Sequence, residues 1–204
     1  SGVMSGAGSL TKAGAGTLTL TAANSYTGTT TVNEGQLTLG NTNALSGSTF
    51  AGGTGNLSFG SLTNARFGGL GASTDLSLTN ASGNAVSLTV GANNTNTTNS
   101  GIISGSGSLT KSGTGTLTLS GANTYTGTTT VSAGILSIAT TNALPGWSTS
   151  GRYSVANGGT LAVYNAFTDD NIATMVYGTT NFAVESAIGF DTTTANRDLS
   201  LIHI

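Results

Sequence analysis

The sequence predicts an all-β chain: a single-stranded right-handed parallel β-helix (solenoid) with a short helix near the C-terminus. Three observations lead there. The composition is rich in Gly, Thr and Ser and poor in charge, the opening segment recurs 99 residues later, and short runs alternate apolar with hydroxyl residues.

Leu, Ile, Val and Phe together number 43 of 204 residues, near the level at which highly charged chains fail to fold. Only 12 residues are charged, however, and the net charge is −2, so the self-repulsion that expands disordered chains is missing. Solubility must then rest on Thr, Ser and Asn. Gly is most often accompanied by Thr, a β-branched residue suited to strands, which points to extended structure with frequent tight turns. The length allows one elongated domain with a continuous core that needs no metal or disulfide staple.

The same numbers exclude several classes. Five scattered Lys and Arg do not form the cation cluster that displaces phosphate counterions, so no nucleic-acid partner is expected. No apolar run is long enough to span a membrane and no export leader opens the chain, which reads as an interior piece. With no cysteine there is no disulfide, thiol nucleophile or Cys metal site.

Residues 1–45 and 100–144 align without a gap and agree at 30 of 45 positions. Substitutions such as Leu39 to Ile138 and Asn33 to Ser132 keep the class of residue, so the apolar/polar pattern persists. Within each copy Leu18-Thr19-Leu20, Thr31-Val32-Asn33 and Leu37-Thr38-Leu39 alternate with period two, as do Leu117-Thr118-Leu119, Val131 and Leu136-Ser137-Ile138. Such runs are half-buried strands with the apolar residues inward and the hydroxyls outward, separated by Gly corners. Leu10 to Val32 spans 22 residues and Leu18 to Leu39 spans 21, which suggests a solenoid coil of that length. Stacked copies would let Asn24 and Asn123 and the Thr rows form ladders. Val32 and Val131 are expected to face inward and Thr129 outward. An antiparallel sandwich also fits short alternating strands, but near-identical units favour stacking of like on like.

Between the copies, residues 46–99 hold strand-like runs at 56–59, 75–78 and 85–90 and read as divergent coils. Asn93 to Ser100 is polar and reads as a protruding loop. Pro145, Gly146 and Trp147 break the pattern, 158–163 resumes a strand, and 148–190 is a second divergent region. Residues 167–177 suggest a helix capped by Thr168, with Asp169 and Asp170 at its positive end and Ile172, Met175 and Val176 on one face.

The segment GSGSLTKSGTGTLTLSGANTYTGTTTVSAGILSI (105–138) resembles the autotransporter-associated β-strand repeat, also called the passenger-associated transport repeat, of bacterial autotransporter passengers. The resemblance implies a β-helical passenger fragment over 1–198, outer-membrane export and a place at the bacterial cell surface or outside it. It also implies scarce cysteine. The tail Leu199 to Ile204 resembles the translation of a sequencing adaptor and reads as a scar.

No residue set stands out for catalysis, cofactor binding or metal binding, and the chain is not expected to be an enzyme. His203 is the sole histidine and falls in the tail. Asp169 and Asp170 read as helix N-terminal charges rather than a glycan-cleaving pair. In GGTGNLSF (52–59) Leu57 stands where a calcium-binding nonapeptide needs a carboxylate. Lys12 and Lys111 recur and read as solvated edge charges that discourage aggregation, and Tyr26 and Tyr125 as packing at a coil corner. The expected role is a structural stalk or adhesin segment, with a β-helical carbohydrate-active domain or a self-associating cell-cell module as alternatives. Candidate partners are surface glycans, host or neighbouring-cell proteins, or a second copy.

Overall fold

Alternation of Leu, Val and Ile with Thr and Ser makes short strands, and corners, several of them turned by a Gly such as Gly14, Gly35 or Gly113, send the chain round to lie in parallel on the preceding coil. The computed structural model describes residues 2–164, 166–177, 181–183 and 185–190; His203 and the suspected scar 199–204 lie outside the described residues.

The first coil contributes β1 (Leu10–Lys12) and β2 (Thr17–Leu20), and the second β3 (Thr29–Val32) and β4 (Gln36–Leu39). The third holds β5 (Leu45–Gly52) and β6 (Asn56–Ser58), and the fourth β7 (Asn64–Leu70) and β8 (Leu76–Ser77). The fifth holds β9 (Ser87–Val90), β10 (Thr97–Asn99) and β11 (Ile103–Ser104). Then come β12 (Ser108–Lys111) with β13 (Thr116–Leu119), and β14 (Thr129–Val131) with β15 (Gly134–Ile138). After a 3₁₀ turn at Thr141–Ala143 the chain forms β16 (Tyr153–Val155), β17 (Gly159–Val163), α1 (Asp169–Tyr177) and β18 (Ala187–Phe190).

One wall is an eight-stranded sheet in the order β1-β3-β5-β7-β9-β12-β14-β16, which makes a parallel β-solenoid of about seven turns. The second strands of the coils form β2-β4-β6 and β10-β13-β15-β17-β18, and β8 pairs with β11 on a third side. The core is the row of inward side chains, among them Leu37, Leu39, Leu88, Leu109, Leu119, Leu136 and Ile138, all almost fully buried.

Three expectations need correction. Lys12 stacks on Val32 and Leu18 on Leu37, so these coils are 20 and 19 residues long, not 22 and 21. The sequence count equated residues two places apart, which period-two alternation leaves indistinguishable. Asn93 to Ser100 does not protrude: Thr97–Asn99 is β10, paired with β13, and the Asn93 amide donates to Thr49 Oγ1 at 2.9 Å. Thr129 is 1% exposed and shares the inward face with Val131, two residues on. The helix, in contrast, forms where expected: Thr168 Oγ1 accepts from Asn171 N at 3.2 Å, Asn171 Oδ1 accepts from Thr168 N at 3.0 Å, and Ile172 and Met175 are buried.

Candidate functional site

The side chains able to do chemistry sit at equivalent corners of the two copies. Lys12 and Lys111 end β1 and β12 in an inward-facing row whose neighbours are Val32, Val90 and Val131. They are 6% and 1% exposed, so the expectation of solvated edge charges is overturned. Each aliphatic stem lies in the core, and its ammonium emerges at the corner among backbone carbonyls. Lys111 Nζ donates to Ser112 O at 2.6 Å, Gly113 O at 2.9 Å and Ala133 O of the next coil at 3.2 Å. Lys12 Nζ does the same to Ala13 O, Gly14 O and Glu34 O at 3.0, 2.5 and 3.1 Å. A corner turns its carbonyls away from the sheet ladder, and three of them match the three donors of an ammonium. Burial pushes the Lys111 ammonium below the usual lysine range.

Tyr26 and Tyr125 pack at a corner as expected, each with a buried partner four residues on. Tyr26 OH lies 2.6 Å from Thr30 Oγ1, and Tyr125 OH 2.5 Å from Thr129 Oγ1. In copy 1 the chain continues from Thr30 to Ser48 Oγ at 2.7 Å, whose hydroxyl donates to Gly28 O. Burial raises the Tyr26 phenol and pushes that of Tyr125 up to about 12. The hydroxyl partners were missed in the sequence, although Tyr-x-x-x-Thr in both copies carries the signal.

Asn24 and Asn123 do not stack on one another as a ladder. Each bridges the coils on either side: Asn24 Oδ1 accepts from Met4 N at 3.0 Å and its amide donates to Ala44 O at 3.1 Å. Asn123 repeats this with Ile103 N at 2.8 Å and Ala143 O at 2.7 Å.

Among the described acids only Asp169 and Asp170 are adjacent in the chain. Asp169 and Asp170 sit exposed in the first turn of α1, Asp75 Oδ1 accepts from Ile102 N at 2.8 Å, and Glu185 Oε2 accepts from Asn157 at 2.8 Å. Among the described residues no three His, Cys, Asp or Glu side chains converge on a metal position. Leu57 lies in β6, paired with Leu37 of β4. A groove of about 370 Å³ runs beside Asn123, Leu144, Pro145 and Trp147. Both ends of the Asn123 amide are engaged, and Trp147 packs edge-on against Phe167 at 5.7 Å, so its ring is turned to the core.

No helix of the described residues is long and apolar enough to cross a membrane. No curated protein and no solved structure matches the chain. A family model does: the passenger-associated-transport-repeat matches residues 10–39 and 109–138, the stretches from β1 to β4 and from β12 to β15 that hold the lysine and tyrosine corners. The chain thus carries two passenger-associated-transport repeats, one in each copy, in keeping with an autotransporter passenger repeat protein.

Proposed function

We propose that the chain is a non-catalytic stalk or adhesin segment of a surface-displayed or secreted autotransporter-like protein. The observation that carries this reading is where the chemistry-bearing side chains go. Lys12, Lys111, Asn24 and Asn123 each bind backbone of the adjoining coil, so the groups a reactive site would draw on are engaged in joining coils. A scaffold of this kind holds a distal part away from the cell, and surface glycans, surface proteins of host or neighbouring cells, or another copy are its candidate partners.

Removing Gly2 to Ser100 joins equivalent positions and takes out the five steps from β1 to β12 in the long wall. At about 4.8 Å per step the rod shortens by about 24 Å while the rest stays folded, because a coil is held mainly by its neighbours. Small-angle scattering reads the maximum dimension. An unchanged dimension or a disordered profile refutes the modular spacer, and release of reducing ends from a polysaccharide panel by the intact chain favours the carbohydrate-active alternative.

A further inference from the structure

Copies 1 and 2 differ in what stands before them. β1 and β2 are edge strands, whereas β12 and β13 are preceded by β9 and β10. A Cβ added at Gly101, Gly107 or Gly115 would meet Thr74 O at 2.1 Å, Val86 O at 2.0 Å or Thr95 O at 2.5 Å, so these positions are glycine because the preceding coil passes too close for any side chain. The equivalent Gly2, Gly8 and Gly16 have nothing within 4 Å and no left-handed φ. Nothing present in the structure requires glycine there. Glycines of the second coil, which has a preceding coil in both copies, behave alike: a Cβ at Gly28 would meet Gly8 O at 2.4 Å, and one at Gly127 would meet Gly107 O at 2.2 Å.

The apolar residues agree. Leu109 and Leu117 are 0% and 2% exposed, while their equivalents Leu10 and Leu18 are only half-buried. A cavity of about 150 Å³ opens between Met4, Leu18, Leu20 and Asn24 at this end. We infer that the N-terminal face of the solenoid is a docking face built to take one further coil of the residue 72–99 type, running parallel to β1 and β2 and joined to Gly2. The join follows from residues 2–8, which already trace the third side of such a coil: Ser25 N donates to Met4 O and Thr27 N to Gly6 O, as Thr124 N does to Ile103 O and Thr126 N to Gly105 O. In copy 2 the incoming coil presents Val90 O to Ser112 N, Asn94 Oδ1 to Thr114 N and Asn96 Oδ1 to Thr116 N. The matching amides here are Ala13, Ala15 and Thr17. This inference is independent of what the stalk carries.

The test fuses a second copy of residues 72–99 directly ahead of Ser1 in the full chain, so that Asn99 meets Ser1 as it meets Ser100. Hydrogen exchange at Ala13 and Thr17 is expected to slow at least about tenfold and the melting temperature to rise by about 5 °C or more, against a fused segment of the same composition in scrambled order. Gly8→Ala with Gly16→Ala should leave the unextended chain unchanged and abolish the gain in the extended one. No slowing of exchange, or a gain that survives both alanines, overturns the inference. So does exchange at Ala13 and Thr17 that slows with concentration in the unextended chain, because the face would then be closed by a second copy.

Discussion

The interior copy, residues 100–144, and the divergent segment before it, residues 46–99, occupy the same walls with different materials. In the copy the inward side chains are mainly aliphatic, with Thr129 among them, and the corners are stitched by Lys111, Asn123 and Tyr125. In the divergent segment the core is a chain of rings: Phe67 lies 5.8 Å from Phe50 and 6.1 Å from Phe59, and all three are buried. Its strands β5 and β7 are the longest in the fold, and their pairing shifts register between Leu45 and Thr49. Gly68 fits there because a Cβ would lie 2.5 Å from the Gly47 backbone. The comparison teaches that a solenoid wall constrains spacing between coils more tightly than it constrains what fills them.

The sharpest way to break the comparison is to place a charge on the inward face of the copy. Val131→Asp and Thr129→Asp should each cost about 4 kcal/mol or more in urea unfolding, because both positions are sealed from water. Thr130→Asp, on the outer face between them, should change stability by no more than about 0.5 kcal/mol. A cheap Thr129→Asp would show that the inward hydroxyl row is wet.

Phe67→Ala removes the middle ring of the divergent core and should cost about 3–5 kcal/mol. A much smaller loss would mean that Phe50 and Phe59 close the gap and that the rings are not what supports this segment.

Lys111→Ala should cost about 2–3 kcal/mol by baring corner carbonyls and vacating core space, with Lys111→Met intermediate because it restores the stem. Equal losses for Ala and Met would assign the whole effect to the ammonium.

The smallest effect is at the phenol. Tyr125→Phe should cost about 1 kcal/mol through the lost bond to Thr129. The folded Tyr125 titrates at about 12, above its ordinary 10.0, so its neutral form favours the fold below pH 10 and that contribution is lost as pH rises toward 12. Thermal melts across that range should fall more steeply for the native chain than for Tyr125→Phe.

Legibility followed the same division. In the copies, period-two alternation and Gly corners were enough to place β2, β4, β13 and β15, and the resemblance at 105–138 agrees with the family match. β5 and β7 escaped because Leu45–Gly52 and Asn64–Leu70 carry internal glycines and no clean alternation; in β7 four consecutive residues, Phe67 to Leu70, are buried. The lysine corners are hidden in the sequence for a different reason: charge ordinarily marks an exposed residue, whereas a corner offering three carbonyls holds an ammonium whose stem is buried. Thr129 was misplaced against the alternation itself, which sets it beside Val131.

The lysine corners also bear on what surroundings the fold tolerates. A buried cation held by a carboxylate loses its counterpart when acid protonates that carboxylate, and many folds fail in acid for this reason. Lys12 and Lys111 are held by peptide carbonyls, which do not titrate. Since burial lowers the folded Lys111 below its unfolded value of 10.5, its linkage to stability acts between the folded and unfolded values, stability rising with pH there. Acid therefore takes no acceptor from the carbonyl stitches that tie one coil to the next, because a peptide carbonyl offers the same lone pairs at every pH.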